Sequence, residues 1–471
     1  MTDYKIYCAG EFISTDNKLE VTNKYTNEIY AQTFLADKEI FDKAVRAAEN
    51  AKAVCKDLSS LEKFEILKFI SEQIIKHKKK LAEILCIESA KPIRYALAEI
   101  ERAALTFLIA AEESKRLPKE YISLDWTAGG KNKEGIINYF PIGIVAGISP
   151  FNYPLNLAVH KIAPAIASGC PIILKPASAT PLSTLELAKI ISQTSLPKGA
   201  VSILPMNRKT GNLLVTDNRI NLLSFTGSPE IGWELKKQSG KKKVILELGG
   251  NAGVIITSSV NIDDAVNKSV IGAFAYSGQI CIHAQRFFIH PDIFEKFSKL
   301  LIQKTKKLNF GNPLNPDTDV SDMIDEANAI RIESWVKEAV NQGAKLLCGG
   351  KRTGNYVEPT ILTDCGSTMK VYTEEVFGPV ICLEKYDGTI ENAVEKINDT
   401  KFGLQCGIFT DSVSELNYAF KNCEVGGIIH NETPLIRYDQ MPYGGNKESG
   451  LGREGVKYAI RDMMEARILV K

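Results

Sequence analysis

The sequence carries almost no net charge and few histidines. Its 58 lysines and arginines are balanced by 56 aspartates and glutamates, which leaves a net charge of +2. This balance provides no excess of positive charge for nucleic acid or for an anionic membrane surface, so we expect neither as a partner. The five histidines lack the spacing of metal ligands, and we therefore predict no metal site.

Long apolar segments and paired cysteines are missing too. No uninterrupted apolar run reaches the ~20 residues of a membrane-spanning helix. The segment from Met1 to Lys5 is polar and does not resemble the start of a secretory signal. The ten cysteines are scattered without a Cys-x-x-Cys pair, which favours reduced thiols over a disulfide framework. These features predict a cytoplasmic protein.

The sequence does contain enough apolar residues for large cores. Of its 471 residues, 44% are hydrophobic and 24% are charged, which is typical of a globular protein with two or three domains. Apolar residues recur three and four positions apart in three N-terminal segments, which predicts amphipathic helices at 37–54, 61–86 and 92–113. We interpret these helices as scaffold.

Short apolar strands alternate with helices from Gly143 onwards. The pattern occurs in two sets, one at 143–248 and a second at 252–431. Strands that alternate with helices form parallel, doubly wound sheets, so we predict an α/β fold with two Rossmann-like parallel-sheet domains. The segment at 121–139 differs, since its short apolar pieces around a glycine pair predict an extended ribbon.

Polar residues and glycines follow the predicted strands of the first set. Ligands of such sheets bind at the carboxyl ends of the strands, so these residues are candidates for a binding site. The stretches are Ser149-Pro150-Phe151-Asn152, Lys175-Pro176-Ala177-Ser178, Thr226-Gly227-Ser228 and Glu247-Leu248-Gly249.

Cys281 lies on a turn between a predicted helix at 261–276 and a predicted strand at 286–290. Most cysteines of intracellular proteins are small buried apolar residues, and this is the alternative for Cys281. A cysteine on such a turn can instead face a cleft between the two domains. Together with Glu247, it would provide a nucleophile and a base for acyl chemistry in which a thioester is hydrolysed.

Each further motif of the first set has two interpretations. Thr226-Gly227-Ser228 can hold a phosphate at a helix N-terminus, or it can form an ordinary strand-to-helix turn. Lys175 can contact ribose hydroxyls or a 2′-phosphate, or it can be a surface lysine. Asn152 can donate to an oxyanion, or it can cap the helix that begins near Pro154.

Two later segments also remain open. Glu375 and Phe377 can hold a polar ring ligand, or they can form an acidic turn beside a core phenylalanine. The glycine-rich stretch from Met441 to Gly455 can line a cleft or form a loop in solvent.

Taken together, the motifs resemble the aldehyde dehydrogenase superfamily in their order and spacing across essentially the whole chain. The segment from Cys281 to Arg286 and the loop Pro434-Leu435-Ile436-Arg437-Tyr438-Asp439 most resemble the branch that acts on lactaldehyde, on glyceraldehyde or, without phosphorylation, on glyceraldehyde 3-phosphate. The motifs are Pro150-Phe151-Asn152-Tyr153-Pro154, Lys175-Pro176, Phe225-Thr226-Gly227-Ser228, Glu247-Leu248-Gly249-Gly250, Gly278-Gln279-Ile280-Cys281, Glu375-Val376-Phe377-Gly378-Pro379 and Pro442-Tyr443-Gly444-Gly445.

The resemblance implies the reaction and its catalytic residues. Cys281 would attack the aldehyde carbon, and the side-chain amide of Asn152 with the backbone N–H of Cys281 would hold the oxyanion. Hydride transfer to a nicotinamide would leave a thioester, and Glu247 would activate the water that hydrolyses it. This carboxylate argues against the branch that passes the acyl group to coenzyme A.

The resemblance also implies the cofactor contacts. The candidate cofactor-binding residues are Ser149, Phe151, Lys175, Ser178, Gly227, Ser228, Glu375 and Phe377. Lys175 and Ser178 would contact the adenosine ribose, and Ser228 the pyrophosphate. Glu375 and Phe377 would contact the nicotinamide ribose and ring. Many NAD-using members carry glutamate in place of Ser178, where a carboxylate repels a 2′-phosphate, so we predict NADP as the favoured cofactor, with NAD as an alternative.

Arg286 and Arg437 are the candidate substrate-binding residues, since either could pair with a carboxylate or a phosphate. The alternative for both is a salt bridge between loops. We predict a small aldehyde of the lactaldehyde or glyceraldehyde type as substrate, with succinate semialdehyde as the second candidate. A catalytically silent binding or structural member of the fold is the third interpretation, which the presence of Cys281, Glu247 and Asn152 disfavours.

The resemblance further implies a division of the chain. Residues 1–120 and 138–248 would form the dinucleotide-binding domain, and residues 249–447 the catalytic domain. Residues 121–137 and 460–471 would form a small β element for oligomerisation. A homodimer or a homotetramer follows by analogy.

Overall fold

The computed structural model describes residues 2–471 and is built on two sheets that are buried on both faces. In the strand Ile144–Ile148, for example, Val145 packs into one hydrophobic core while Ile144 and Ala146 pack into another. Strands with apolar side chains on both faces belong to sheets that are covered by helices on each side. The predicted α/β class with parallel-sheet domains is therefore confirmed.

The first lobe is built on an eight-stranded sheet. Its five central strands run parallel, and the outer ones are joined by antiparallel pairing. The strands in spatial order are Gly450–Leu451, Lys243–Glu247, Ile220–Thr226, Ile144–Ile148, Ile172–Lys175, Val201–Ile203, Ile6–Cys8 and Glu11–Ile13. The predicted stretches after the parallel strands therefore meet at one edge of this sheet.

The second lobe is built on a seven-stranded sheet, which is parallel except at one outer pair. Its strands in spatial order are Lys345–Cys348, Thr360–Thr363, Val380–Lys385, Ala284–Ile289, Ala252–Ile256, Gln405–Phe409 and Gly427–His430. The chain passes from the first lobe to the second directly after Glu247, so this residue lies at the boundary between the lobes.

Helices cover both sheets. The α-helices are Lys38–Asp57, Ser60–Lys76, Lys78–Ser89, Ile93–Ser114, Pro154–Ser168, Leu182–Ile191, Arg208–Gly211, Leu213–Thr216, Pro229–Gln238, Ile262–Phe274, Phe294–Thr305, Glu326–Asn341, Lys370–Thr373, Ile390–Asn398, Val413–Asn422 and Val456–Asp462. Short 3₁₀ helices occupy Ala128–Gly130, Ala275–Gly278 and Pro291–Ile293.

Local sequence explains where the first helix begins. The side chain of Asp37 accepts a hydrogen bond from the N–H of Ile40 and caps the helix. The prediction at 61–86 is wrong in one respect, because two helices meet there at His77. The apolar spacing continues through this break, and only the backbone of His77, with φ −100° and ψ 12°, leaves the helical region.

A separate antiparallel sheet projects from the first lobe. It consists of Met464–Val470, Glu134–Pro141 and Lys119–Ser123. The predicted ribbon at 121–139 thus corresponds to two strands of this sheet, joined through a 3₁₀ turn. In the smaller sheets, Ile29–Phe34 pairs with Thr2–Tyr4 and with Lys18–Thr22, Arg352–Thr353 pairs with Tyr356–Val357, and Phe402–Gly403 pairs with Asn446–Lys447.

Candidate active site

A cleft of about 1000 Å³ lies between the carboxyl edge of the first sheet and the second lobe. Both lobes contribute side chains to its walls. The predicted site residues that line it are Phe151, Asn152, Gly227, Ser228, Glu247, Cys281, Glu375 and Phe377. Cys281 is only half-buried and lines the cleft, so it is not a packed core residue.

The turn that carries Cys281 has an unusual backbone. Tyr276 and Ser277 have φ angles of 47° and 52°, which residues with a side chain rarely adopt. The hydroxyl of Ser277 donates to the carbonyl oxygen of Ser321 at 2.7 Å and anchors the turn from outside. Such strained conformations persist only where surrounding contacts hold them, and they concentrate at functional sites.

The thiol of Cys281 lies beside a tyrosine hydroxyl. Its Sγ is 3.2 Å from Oη of Tyr443. Burial raises the pKa of the Cys281 thiol to about 11, the hydrogen bond from Tyr443 lowers it, and the negative charge of Glu375 raises it. The fraction of Cys281 that is thiolate at neutral pH therefore depends on the groups that stabilise the anion.

Glu247 ends a strand of the first sheet and is 3% exposed. Neither of its carboxylate oxygens has a hydrogen-bond partner in residues 2–471. Burial raises the pKa of Glu247 well above its ordinary value, and repulsion from Glu454 is the second largest cause. The positive charges of Arg437 and Lys161 lower this pKa, but they do not cancel the effect of burial. A carboxylate with free lone pairs and a raised pKa is suited to take a proton from water.

Asn152 follows the strand Ile144–Ile148 and lies against the Cys281 turn. Its side-chain nitrogen donates to the carbonyl oxygen of Gln279 at 3.0 Å. The alternative role as a helix cap is not what the structure shows, because the helix Pro154–Ser168 starts after Tyr153 without a side-chain cap. The amide of Asn152 has a second N–H, which can donate to an oxyanion formed at Cys281.

The second lobe contributes Glu375 and Phe377 to the cleft. An oxygen of Glu375 accepts a hydrogen bond from the N–H of Gly250 at 3.0 Å, and burial raises the pKa of this carboxyl to about 7. A Cβ atom on Gly249 would lie 2.2 Å from the other oxygen, so only glycine permits this approach. The ring of Phe377 meets that of Phe151 edge to face, with 5.8 Å between their centroids.

Ser149, Lys175 and Ser178 lie on the same sheet edge but outside the walls of the cleft. The hydroxyl of Ser149 is buried without a hydrogen-bond partner in residues 2–471. Lys175 is half-buried, so the surface-lysine alternative does not describe it, and burial lowers the pKa of its ammonium group. Ser178 is exposed in the turn that follows.

Arg437 is buried behind Tyr443. Its guanidinium carbon is 3.8 Å from the centroid of the tyrosine ring, and its Nη2 donates to Glu454 at 3.0 Å. Glu454 also accepts a hydrogen bond from Lys161 at 3.1 Å. A salt bridge between loops, the alternative interpretation for Arg437, is present, while its Nε has no acceptor in residues 2–471.

The prediction that Arg286 binds substrate is wrong. This residue lies on a central strand of the second sheet and is 1% exposed. Its guanidinium donates to the backbone carbonyls of Asn251, Lys396 and Ile397. Two of these carbonyls end the helix Ile390–Asn398 and would otherwise have no partner in the core. Arg286 therefore satisfies buried backbone groups, and within residues 2–471 it forms no salt bridge.

Sequence reasoning missed several polar residues of the site. Arg208, Arg331 and Lys401 line the cleft. Arg208 could have been predicted from the rule that ligands bind at the carboxyl ends of the strands, because it follows the strand Val201–Ile203. Arg331 and Lys401 come from segments far away in the chain, and no local pattern distinguishes them. Tyr443 lies in one of the predicted motifs, but only the structure shows that its hydroxyl contacts Cys281.

The residues present fit a nicotinamide dinucleotide. The cleft runs from aromatic and carboxylate side chains near Cys281 to the amino end of the helix Pro229–Gln238, where Ser228 makes no capping hydrogen bond. Free N–H groups at a helix N-terminus suit a phosphate. Within residues 2–471, no cluster of three or more His, Cys, Asp or Glu side chains could hold a metal ion. No helix of this part of the chain has the length and apolar character needed to span a membrane.

The sequence and the structure match known proteins over nearly their whole length. The model of the aldehyde dehydrogenase family matches residues 12–469. The 3-sulfolactaldehyde dehydrogenase of Priestia aryabhattai is 41% identical over 468 residues, which cover 99% of this chain and 98% of the relative.

Two solved structures are similar to the whole chain. The first is aldehyde dehydrogenase 21 of Physcomitrella patens in complex with the reaction product succinate, at 44% identity and a TM-score of 0.98, covering 100% of this chain and 98% of that one. The second is the glyceraldehyde-3-phosphate dehydrogenase GapN of Methanocaldococcus jannaschii complexed with NADP, at 36% identity and a TM-score of 0.92, covering 97% and 100%. The chain therefore belongs to the aldehyde dehydrogenase family and is an enzyme that oxidises an aldehyde with a nicotinamide cofactor.

Proposed function

We propose that this enzyme oxidises a small 2-hydroxyaldehyde of the lactaldehyde or glyceraldehyde type to its carboxylic acid, with NADP favoured and water as the final acceptor. The observation that carries the proposal is the meeting of Cys281, Glu247 and Asn152 on one cleft. A thiol, a carboxylate without partners and a side-chain amide are the groups that thioester formation and hydrolysis require.

The first covalent step uses Cys281. Its thiolate forms a bond to the aldehyde carbon, and the carbonyl electron pair moves to oxygen to give an alkoxide. The free N–H of the Asn152 amide, whose other hydrogen is held by Gln279, donates to this oxygen. Donors fixed before the reaction stabilise the developing charge without reorganisation.

The second covalent step uses Glu247. When bound in the cleft, an oxidised nicotinamide would accept the hydride from the former carbonyl carbon, which would leave a thioester on Cys281. Glu247 takes a proton from water, the hydroxide adds to the thioester carbon, and the carbon–sulfur bond breaks to release acid and thiolate. Both oxygens of this buried carboxylate lack a donor within residues 2–471, so they are free to accept a proton from water.

The preference for NADP is supported by the positive charge near Lys175 and Ser178, at the carboxyl edge of the first sheet. Ser178 places no carboxylate there, and Lys175 has no acidic hydrogen-bond partner in the part of the chain that the structure describes. Arg208 lines the cleft and begins the short helix Arg208–Gly211. Lys175 approaches the other end of this helix, since its Cε would lie 3.0 Å from a Cβ on Gly211. Two basic side chains favour the additional charge of a 2′-phosphate.

The substrate class is supported by the relatives. One relative is named for 3-sulfolactaldehyde and another for glyceraldehyde 3-phosphate, which are both 2-hydroxyaldehydes. Arg437 adds no support, because its Nε–H is buried behind Tyr443 and Arg437 does not line the cleft. The alternative substrate is succinate semialdehyde, which is favoured by the reaction product succinate in the structure of the Physcomitrella patens relative.

A panel of aldehydes tests the proposal. Lactaldehyde, glyceraldehyde, 3-sulfolactaldehyde, glyceraldehyde 3-phosphate, succinate semialdehyde and propionaldehyde are each assayed with NADP and with NAD, by the appearance of the reduced nicotinamide. We expect the highest kcat/KM for a 2-hydroxyaldehyde with NADP. A higher value for succinate semialdehyde would select the alternative, and no turnover of any aldehyde would indicate a silent member of the fold.

Matched cysteine variants test the nucleophile. Cys281→Ser is expected to abolish turnover and selective labelling by iodoacetamide. Cys348→Ser, which changes another half-buried cysteine at the end of a strand, is expected to leave both unchanged. Turnover by the Cys281→Ser variant would contradict the proposed mechanism.

We also propose that residues 121–137 and 460–471 form the oligomerisation element and that the first lobe binds the dinucleotide. The projecting sheet supports this, because it exposes apolar side chains that include Tyr121, Ile468, Leu469 and Val470. Exposed apolar patches on a sheet favour contact with a second copy. Sedimentation of the full chain and of a variant lacking residues 464–471 should show a dimer or tetramer and a smaller species, respectively.

A further inference from the structure

The hydroxyl of Tyr443 has one polar partner in the part of the chain that is described, and that partner is Cys281. The two atoms are 3.2 Å apart, which is within hydrogen-bonding range for sulfur. Tyr443 is 3% exposed, so solvent does not compete for this hydroxyl. A buried tyrosine hydroxyl normally finds a structural acceptor such as a backbone carbonyl. Here its hydrogen-bond partner is the candidate nucleophile.

The position of the Tyr443 ring is fixed from several directions. The guanidinium of Arg437 lies over one face of the ring, 3.8 Å from its centroid. The backbone N–H of Tyr443 donates to the carbonyl of Glu454 at 3.0 Å, and the N–H of Glu454 donates back at 2.6 Å. Gly444, the residue after Tyr443, touches the candidate base Glu247, since a Cβ on Gly444 would lie 2.9 Å from an oxygen of Glu247.

The direction of the hydrogen bond follows from the chemistry of the two groups. Burial raises the pKa of Tyr443 well above its ordinary value, so the phenol keeps its proton. A thiolate has no proton to donate and accepts only. When Cys281 ionises, Tyr443 is therefore the donor, and a hydrogen bond to a charged acceptor is stronger than one to a neutral thiol.

We propose that Tyr443 is a catalytic residue, which donates its phenolic hydrogen bond to the Cys281 thiolate and thereby sets how much of the nucleophile is ionised. This inference rests on the proposed role of Cys281 as nucleophile. It assigns to Tyr443 a task that an aromatic ring without a hydroxyl could not perform.

Removal of the hydroxyl has a defined consequence. Tyr443→Phe keeps the ring beneath Arg437 and removes only the donor. A lost hydrogen bond to an anion should move the pKa of the Cys281 thiol upward by about 1–2 units. Below that pKa, the rate of alkylation should fall by the same factor, about 10-fold for each unit. At high pH, where Cys281 is fully ionised, the alkylation rate of the variant should equal or slightly exceed that of the wild type, because a more basic thiolate is the stronger nucleophile.

The test is the rate of Cys281 alkylation by iodoacetamide as a function of pH, on the full chain with and without NADP. The Cys281→Ser variant supplies the background from the other cysteines. Tyr372→Phe is the matched control, because Tyr372 is also buried, lies under an arginine, and donates its hydroxyl to Glu384 at 2.6 Å. We expect a shifted profile for Tyr443→Phe and the wild-type profile for Tyr372→Phe.

An unshifted profile for Tyr443→Phe would overturn the proposal, and so would an equal shift in Tyr372→Phe. If Tyr443→Phe does not fold, 3-fluorotyrosine at position 443 provides the second test, since its phenol is a stronger donor and should shift the profile downward. The failure of this inference is distinct from failure of the proposed function. An inactive Cys281→Ser with an unshifted Tyr443→Phe profile overturns the role of Tyr443 alone, whereas an active Cys281→Ser overturns both.

Discussion

Gly278 and Gly378 are in backbone contact. A Cβ atom on Gly278 would lie 2.2 Å from the carbonyl oxygen of Gly378, and Gly278 itself has a φ angle of +68°. The contact joins the turn that carries Cys281 to the segment that carries Glu375 and Phe377. The position of the candidate nucleophile is thus coupled directly to that of the candidate nicotinamide contacts.

Replacement of Gly278 by alanine should disturb both segments. The left-handed backbone and the clash together should cost about 1–3 kcal/mol of unfolding free energy, and KM for the cofactor should rise. Gly240→Ala separates the two causes, because Gly240 has a φ angle of +60° but open space around its Cβ position. It should lose stability without a change in KM. Equal effects of both variants on KM would contradict the coupling.

Ser178→Glu should shift cofactor use towards NAD. The new carboxylate accepts hydrogen bonds from a ribose 2′-hydroxyl and repels a 2′-phosphate. We expect the ratio of kcat/KM with NADP to that with NAD to fall at least ~10-fold, which corresponds to about 1.4 kcal/mol. Ser178→Ala, which removes the hydroxyl without adding charge, should lower the ratio less. An unchanged ratio in Ser178→Glu would refute the predicted preference for NADP.

Glu247→Gln should block hydrolysis of the thioester. One equivalent of reduced nicotinamide should form in a burst, followed by turnover slower by about 10²–10⁴-fold. In the wild type the ionised carboxylate is the active form, so kcat should increase with pH through a pKa that lies above the ordinary carboxyl value, in the direction that burial shifts it. Glu230 is an exposed carboxylate on the same cleft, and the Glu230→Gln variant should retain normal turnover. A Glu247→Gln variant with full kcat and no burst would exclude the role as base.

Arg286→Lys should lower stability and leave substrate binding intact. Lysine cannot reach all the carbonyls that the guanidinium satisfies, and each buried acceptor left alone costs about 1–3 kcal/mol. We expect a lower thermal midpoint and an unchanged KM for the aldehyde, measured by calorimetry and by steady-state kinetics. A raised KM at unchanged stability would restore Arg286 as a substrate contact.

Much of the fold is readable in local sequence patterns. The alternation of short apolar strands with helices from Gly143 onwards predicts parallel sheets, and the topology then requires the polar stretches after the strands to meet at one edge. Helix ends were less predictable, as the break at His77 illustrates, because the apolar spacing of its flanking helices is continuous. Side-chain direction was the least predictable feature. Nothing local to Arg286 indicates that its guanidinium completes the end of a helix 110 residues later in the chain.

The sequence by itself determined the parallel α/β architecture and the set of chemical groups, since strand periodicity and residue type are local properties. The tertiary structure alone decided which of these groups meet. It moved Arg286 into a core, gave Arg437 a carboxylate partner, and brought the hydroxyl of Tyr443 to Cys281, 162 positions earlier in the chain. Contacts at such separation depend on how two lobes pack, and packing is a property of the whole folded chain.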